Sequence, residues 1–215
     1  MRRQAIALGF VAGLLGFAGC ATPAGYQVAN KSSSTAADAA AEVAEVRTAI
    51  ARAGLALDKL ELRSENDPRA TLTEYVSAVA AADASWNRAT DAHEEFMSGT
   101  DAYFHDWAQR TAVVDDERMR ETANNRREEM MDTVSRLRAQ FTETRAAFEP
   151  HLTQLKNLRT MLQNDFTEAG VAAADRAIND TRDGAGGARA TLDELAEVAG
   201  EVAGAFSTAG ASDDT

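Results

Sequence analysis

Apolar residues recur along this chain at alternating steps of three and four, in four long runs. The first reads Ala36, Ala39, Val43, Val46, Ile50, Ala53, Leu57, Leu60. The second reads Leu72, Tyr75, Val79, Ala82, Trp86, Ala89, His93, Phe96, Thr100, Tyr103, Trp107, Arg110, Val114. The third opens in the charged stretch 115–129, relieved mainly by Met119 and Ala123. It firms into Met130, Val134, Leu137, Phe141, Thr144, Phe148, His151, Leu155, Leu158, Leu162. The fourth is Val171, Ala174, Ile178, Thr181, Ala185, Ala188, Leu192, Leu195, Ala199, Val202, Phe206. This spacing puts each run on one stripe of an α-helix, in the manner of a coiled-coil seam.

Turn chemistry separates the runs. Asn66-Asp67-Pro68 predicts a stop followed by a start, with Asp67 as cap and Pro68 at the first helical position. Val114-Asp115-Asp116 and Asn164 to Thr167 are the other two turns. Thr35 with Asp38 resembles a capping box and predicts the start of the first helix. Pro150 falls inside the third run, whose register survives on both sides, so a kink is expected there rather than an end. Ser98-Gly99 is a weak spot in the second helix. Gly184, Gly186 and Gly187 lie within the fourth run at roughly 1 kcal/mol each against alanine, which predicts either a break or the close approach of a partner backbone.

Short turns between long helices imply antiparallel neighbours. The expected fold is all-α, an elongated antiparallel three- or four-helix bundle over residues 35–208, followed by a disordered tail at 209–215. A helix of about 45 residues spans about 68 Å. The second helix outruns the first, so its end beyond about Ser98 is expected to project past the start of the first helix, paired with the early third helix.

The N-terminus carries a different pattern. Arg2 and Arg3 precede an apolar stretch from Ala5 to Phe17, and Phe17-Ala18-Gly19 leads directly into Cys20, the single cysteine. This is the layout of a bacterial lipoprotein signal, with residues 1–19 removed and Cys20 as the lipid attachment site. An ordinary secretory signal or a short membrane anchor are the alternatives, although the apolar run is shorter than the ~20 residues a spanning helix needs. Phe17 stands where such signals usually carry leucine, and Ala21 in place of aspartate favours the outer membrane in the general sorting of lipoproteins. Residues 20–34, with Pro23, Gly25, Asn30 and Ser32-Ser33-Ser34, read as a flexible tether.

Charge narrows the partners. The chain carries −12 formally, and −14 once Arg2 and Arg3 are removed with the signal. Such a chain repels phosphate, so no nucleic-acid partner is expected, and membrane residence rests on the acyl anchor rather than on attraction to anionic lipid. One cysteine excludes an intramolecular disulfide. The three histidines, His93, His105 and His151, form no His-Glu-x-x-His pattern, and His93 and His151 fall on seams as packing histidines. No nucleophile elbow, phosphate loop or dinucleotide fingerprint occurs, and the carboxylates lie mostly off the seams. Neither a cofactor nor a metal is expected, and an enzyme is not.

Three short pieces resemble an uncharacterised family of bacterial all-helical lipoproteins, known only as a domain of unknown function. They are Phe104-His105-Asp106-Trp107, Pro150-His151-Leu152 with Leu155 after it, and Leu162-Gln163-Asn164-Asp165-Phe166. The resemblance covers roughly residues 95–180 and the signal. Family members carry Lys and His where Gln163 and Asn164 stand here. The resemblance implies a periplasm-facing helical lipoprotein and no assigned activity. The expectation from the sequence is therefore a structural or protein-interaction module of the cell envelope, on the periplasmic face of the outer membrane. Tyr103, Phe104, Trp107, Asp115, Asp116 and Glu117 are its candidate contact residues, toward the membrane interface, an envelope protein or a second copy. The competing expectation is a bundle that holds a lipid or small apolar ligand where the alanines and glycines of the fourth helix face Trp86 and Phe141.

Overall fold

The computed structural model describes residues 24–62 and 67–210. Cys20, the apolar leader and the 211–215 end of the tail lie outside the described residues. Four helices follow one another: α1 (Ala24–Leu62), α2 (Pro68–Ala112), α3 (Glu117–Asn164) and α4 (Glu168–Gly210). No strand occurs among the described residues. Each helix packs beside its neighbours in sequence, and α1 also packs beside α4, while neither diagonal pair approaches closely. The fold is thus an up-down-up-down ring of four antiparallel helices around one core, as the seams predict.

The helix ends follow local chemistry. Asp67 caps α2, its Oδ1 accepting from the backbone N–H groups of Arg69 at 3.0 Å and Ala70 at 3.1 Å, and Pro68 opens the helix. Asp116 does the same for α3, accepting from Arg118 N at 2.9 Å and Met119 N at 3.0 Å. The Thr167 hydroxyl accepts from Gly170 N at 3.1 Å and its own backbone N–H is held by Asp165. A Cβ on Gly170 would collide with the Asp165 backbone, so this turn admits only glycine there.

Three expectations change. Residues 24–34 are not a loose tether but the first three turns of α1. Ser33 Oγ donates to Ala203 O of α4 at 2.9 Å, and Ala29 and Ser32 are buried. The turn residues there are outvoted by packing against α4. Thr35 consequently caps nothing; its hydroxyl bonds back to Lys31 O within the helix at 2.8 Å. At the other terminus α4 reaches Gly210, past the expected end at 208. The glycines at 184–187 do not break α4, and α3 continues through Pro150.

The core is graded. Along α2 and α3 it is built of rings: Trp86 stacks on Phe141 with centroids 5.5 Å apart and meets Phe148 edge-on at 4.9 Å. Their polar handles are used, with Tyr75 Oη donating to Leu155 O at 2.9 Å and Trp86 Nε1 to Glu149 Oε1 at 3.4 Å. Along α1 it is built of small residues such as Ala36, Ala49, Ala53 and Ala56, which let α2 and α4 come close.

Candidate functional site

The α2–α3 hairpin is where the sequence places contact residues, and the cross-helix bonds fix how far it reaches. Lys31 pairs with Glu95 at 3.0 Å, and Glu42 with Arg88 at 2.7 Å, so the first residue of α1 lies level with about residues 102–106 of α2. A second route agrees. Ser33 bonds to Ala203 and Thr144 donates to Thr191 O at 3.0 Å, which puts Gly210 near the level of Ala24 and opposite about residue 125 of α3. At 1.5 Å per residue, the hairpin overhangs both chain ends by about 9–15 Å. The overhang therefore starts several residues later than the sequence predicts, because α1 is longer at its N-terminus.

Within the overhang the seam changes register. The sequence predicts Tyr103, Trp107, Arg110 and Val114 on the buried stripe. Instead Phe104 and Thr111 are buried, Tyr103, Trp107 and Val114 are half-buried, and Arg110 is exposed. Phe104 faces Phe206 at 6.4 Å, and Tyr103 lies 5.9 Å from the same ring. The cause is Phe206 near the end of α4, which draws α2 rings inward. Phe104 is thus a core residue and not a contact residue, a correction to the sequence reading. Tyr103 and Trp107, 5.5 Å apart, line a shallow groove of about 290 Å³ with Asp106, Arg110, Thr111 and Val114.

The acidic candidates divide similarly. Asp115, Asp116 and Glu117 are all exposed at the tip, but one oxygen of Asp116 is committed to capping α3. Arg120 Nη1 donates to Val114 O at 2.9 Å and closes the turn from below. Sequence reasoning missed two tip residues, Val113 and Met119, which are 80% and 67% exposed. Their signal was legible: both are large apolar residues flanking the turn, and neither continues a seam.

No group of three or more His, Cys, Asp or Glu among the described residues has the geometry to hold a metal. The histidines do not converge. His105 is exposed on the hairpin, 3.0 Å from Gln109. His93 is buried and lies flat on Phe141 at 3.8 Å, and burial, reinforced by the charges of Arg145 and Arg138, brings its pKa down to about 4. His151 is buried in the α3–α4 half of the core. Beside His93 and Phe141 the core is closed, with a void of only about 10 Å³. That is no more than a water needs, so the space expected beside Phe141 for a lipid is filled. No helix among the described residues is long and apolar enough to cross a membrane. Comparison with protein-family models, curated proteins and solved structures finds no match.

Proposed function

We propose that this chain is a lipid-anchored, periplasm-facing envelope protein that acts as a rigid helical spacer or interaction module, held at Cys20 and displayed from the outer membrane. The observation that carries this reading is the overhang. Three residues lie between Cys20 and Ala24, four steps of chain with a reach of at most ~14 Å, against an overhang of about 9–15 Å. A bundle standing upright on an acylated Cys20 brings its hairpin tip down to the surface of the anchoring membrane. The tip there offers Val113 and Met119 together with Asp115 and Glu117. The contact face lies beside the anchor, and the α1–α2 and α3–α4 turns lie at the far end.

An enzymatic reading has no support in converging polar groups. Tyr75 and Thr144, polar side chains of the core, bond singly to backbone carbonyls of neighbouring helices.

The test is metabolic labelling with a fatty-acid analogue in a bacterial host, comparing the intact chain with Cys20→Ala. Label on the first and not the second, with the protein sedimenting in the outer-membrane fraction, is the expected result. An unlabelled intact chain overturns the anchor. Pull-down with the acylated protein, against a Val113→Asp, Met119→Asp variant, then tests the tip. A partner set unchanged by both substitutions overturns the contact face while leaving the anchor standing.

A further inference from the structure

Midway along the bundle the α1–α4 seam opens into a slot. Gly54 on α1 and Gly186 on α4 leave its mouth without side chains, and the ring of His151 and the side chain of Leu155, both from α3, form its floor. The cavity is about 260 Å³. Antiparallel packing sets charged groups at both ends. Asp58 and Arg182 form an ion pair of 2.8 Å across one end. Arg189 stands at the other, its Nη2 3.4 Å from the position a Cβ on Gly54 would take.

The floor carries an unmet demand. His151 is only 4% exposed, and neither Nδ1 nor Nε2 has a hydrogen-bond partner. Burying an unpaired polar atom is destabilising, and a leucine at this seam position, like Leu155 and Leu158 after it, would avoid that cost. Burial and the nearby Arg189 charge hold the imidazole below its ordinary pKa, so it is neutral and offers one donor and one acceptor. Gly184 faces the ring, with its Cβ position 3.1 Å from Nδ1, so the ring has room to turn that any larger residue would remove. Gly184 thus faces a core side chain whose two ring nitrogens lack partners. Arg182 is paired with Asp58, whereas no carboxylate of the described residues pairs with Arg189.

We propose that this slot binds a small aliphatic monocarboxylate. The carboxylate pairs with Arg189 and accepts from the N–H of His151, while the hydrocarbon body lies on Ile50, Leu57 and Leu155. A dianion is a poorer fit, because at the far end Arg182 is already paired with Asp58, whose carboxylate would repel a second negative charge. This inference is independent of the anchor at Cys20.

The probe is hexanoate, titrated into the intact chain while the ring resonances of His151 are followed by NMR, with 1-hexanol and acetate in parallel. Hexanoate is expected to shift the His151 ring saturably and to leave His93 unmoved. Hexanol lacks the charge and acetate lacks the body, so each is expected to bind at least tenfold more weakly. Arg189→Gln, an exposed substitution, and Gly186→Leu, which plugs the mouth, are each expected to weaken hexanoate at least tenfold. Arg189→Gln decides the matter if Gly186→Leu does not fold. No saturable shift at His151, or equal affinity in Arg189→Gln, overturns the site. Equal binding of hexanol overturns the carboxylate.

Discussion

The α2–α3 seam and the α1–α4 seam solve the same packing problem with opposite materials. Between α2 and α3 the backbones make their fewest close approaches, and the gap is filled by Trp86, Phe141, Phe148 and His93 in direct ring contact. Between α1 and α4 the backbones come close, because Ala36, Ala53, Ala188 and Ala199 keep the interface thin. The difference is one of tolerance. Rings fill the space that separates the two helices, so the wide seam is packed ring on ring where Trp86, Phe141 and Phe148 meet. A thin seam is sealed only where a methyl group meets a methyl group. Where Gly54 faces Gly186 the seal fails and the slot appears.

The largest way to break this contrast is to remove a ring. Phe148 is fully buried and edge-on to Trp86. Phe148→Ala should lower unfolding free energy by about 3–5 kcal/mol, from lost burial and the cavity left behind. On the thin seam the sensitive direction is reversed. Ala53 is also fully buried, and Ala53→Leu should cost about 1–3 kcal/mol by overpacking. Urea denaturation of both variants checks this. If Phe148→Ala loses under 1 kcal/mol, or if Ala53→Leu is neutral, the two seams do not differ as described.

Acid should act on both buried histidines in the same direction, and a substitution at His93 isolates the wide seam. His93 is held neutral by its burial and by Arg145 and Arg138, with a folded pKa near 4 against the ordinary 6.5. The unfolded chain therefore binds the extra proton between these values. The His93 contribution is fully present above pH 6.5 and is lost as pH falls toward 4, by at most ~3 kcal/mol. Stability measured from pH 7.5 to 4 should slope downward below 6.5, and His93→Phe should flatten that slope. His151 and the carboxylates act on both proteins alike, so the difference between the two curves reports His93. Superimposable curves would show that His93 does not sense its burial.

How much of this was legible in the sequence depended on which force decided each region. Long seams such as Met130 to Leu162 read correctly because burial of large side chains dominates their energy. The cap Asp67 read correctly because capping is local, whereas Asp116 read only as a turn residue although it caps α3. Residues 24–34 read as a loop because Pro23, Gly25 and three consecutive serines speak locally. The opposing force, packing of Ala29 and Ser32 and the bond from Ser33 to Ala203, comes from a helix 170 residues away. The exchange of Tyr103 for Phe104 on the buried stripe has the same origin, since Phe206 sets it. The slot lay further out of reach. Gly54, Asp58, Arg182 and Arg189 are unremarkable singly, and only the α1–α4 register brings them together. The signal that existed was a seam histidine, His151, and the three glycines Gly184, Gly186 and Gly187, which the sequence read as a break or a close backbone approach and of which Gly184 instead meets the His151 ring.

Those glycines supply the finest test of the comparison. Gly187 has nothing within 4 Å of its Cβ position, whereas the Cβ of a residue at 184 would sit 3.1 Å from the His151 ring. Both lie in the interior of α4, so both substitutions gain the same intrinsic helix propensity. Gly187→Ala should therefore stabilise the chain by roughly 0.5–1 kcal/mol. Gly184→Ala should return less than that, because the ring must give by a few tenths of an ångström. The gap between the two isolates the contact with His151 from helix propensity. A gain at 184 equal to that at 187 would mean that His151 yields at no cost, and that the glycine is not what makes room for its ring.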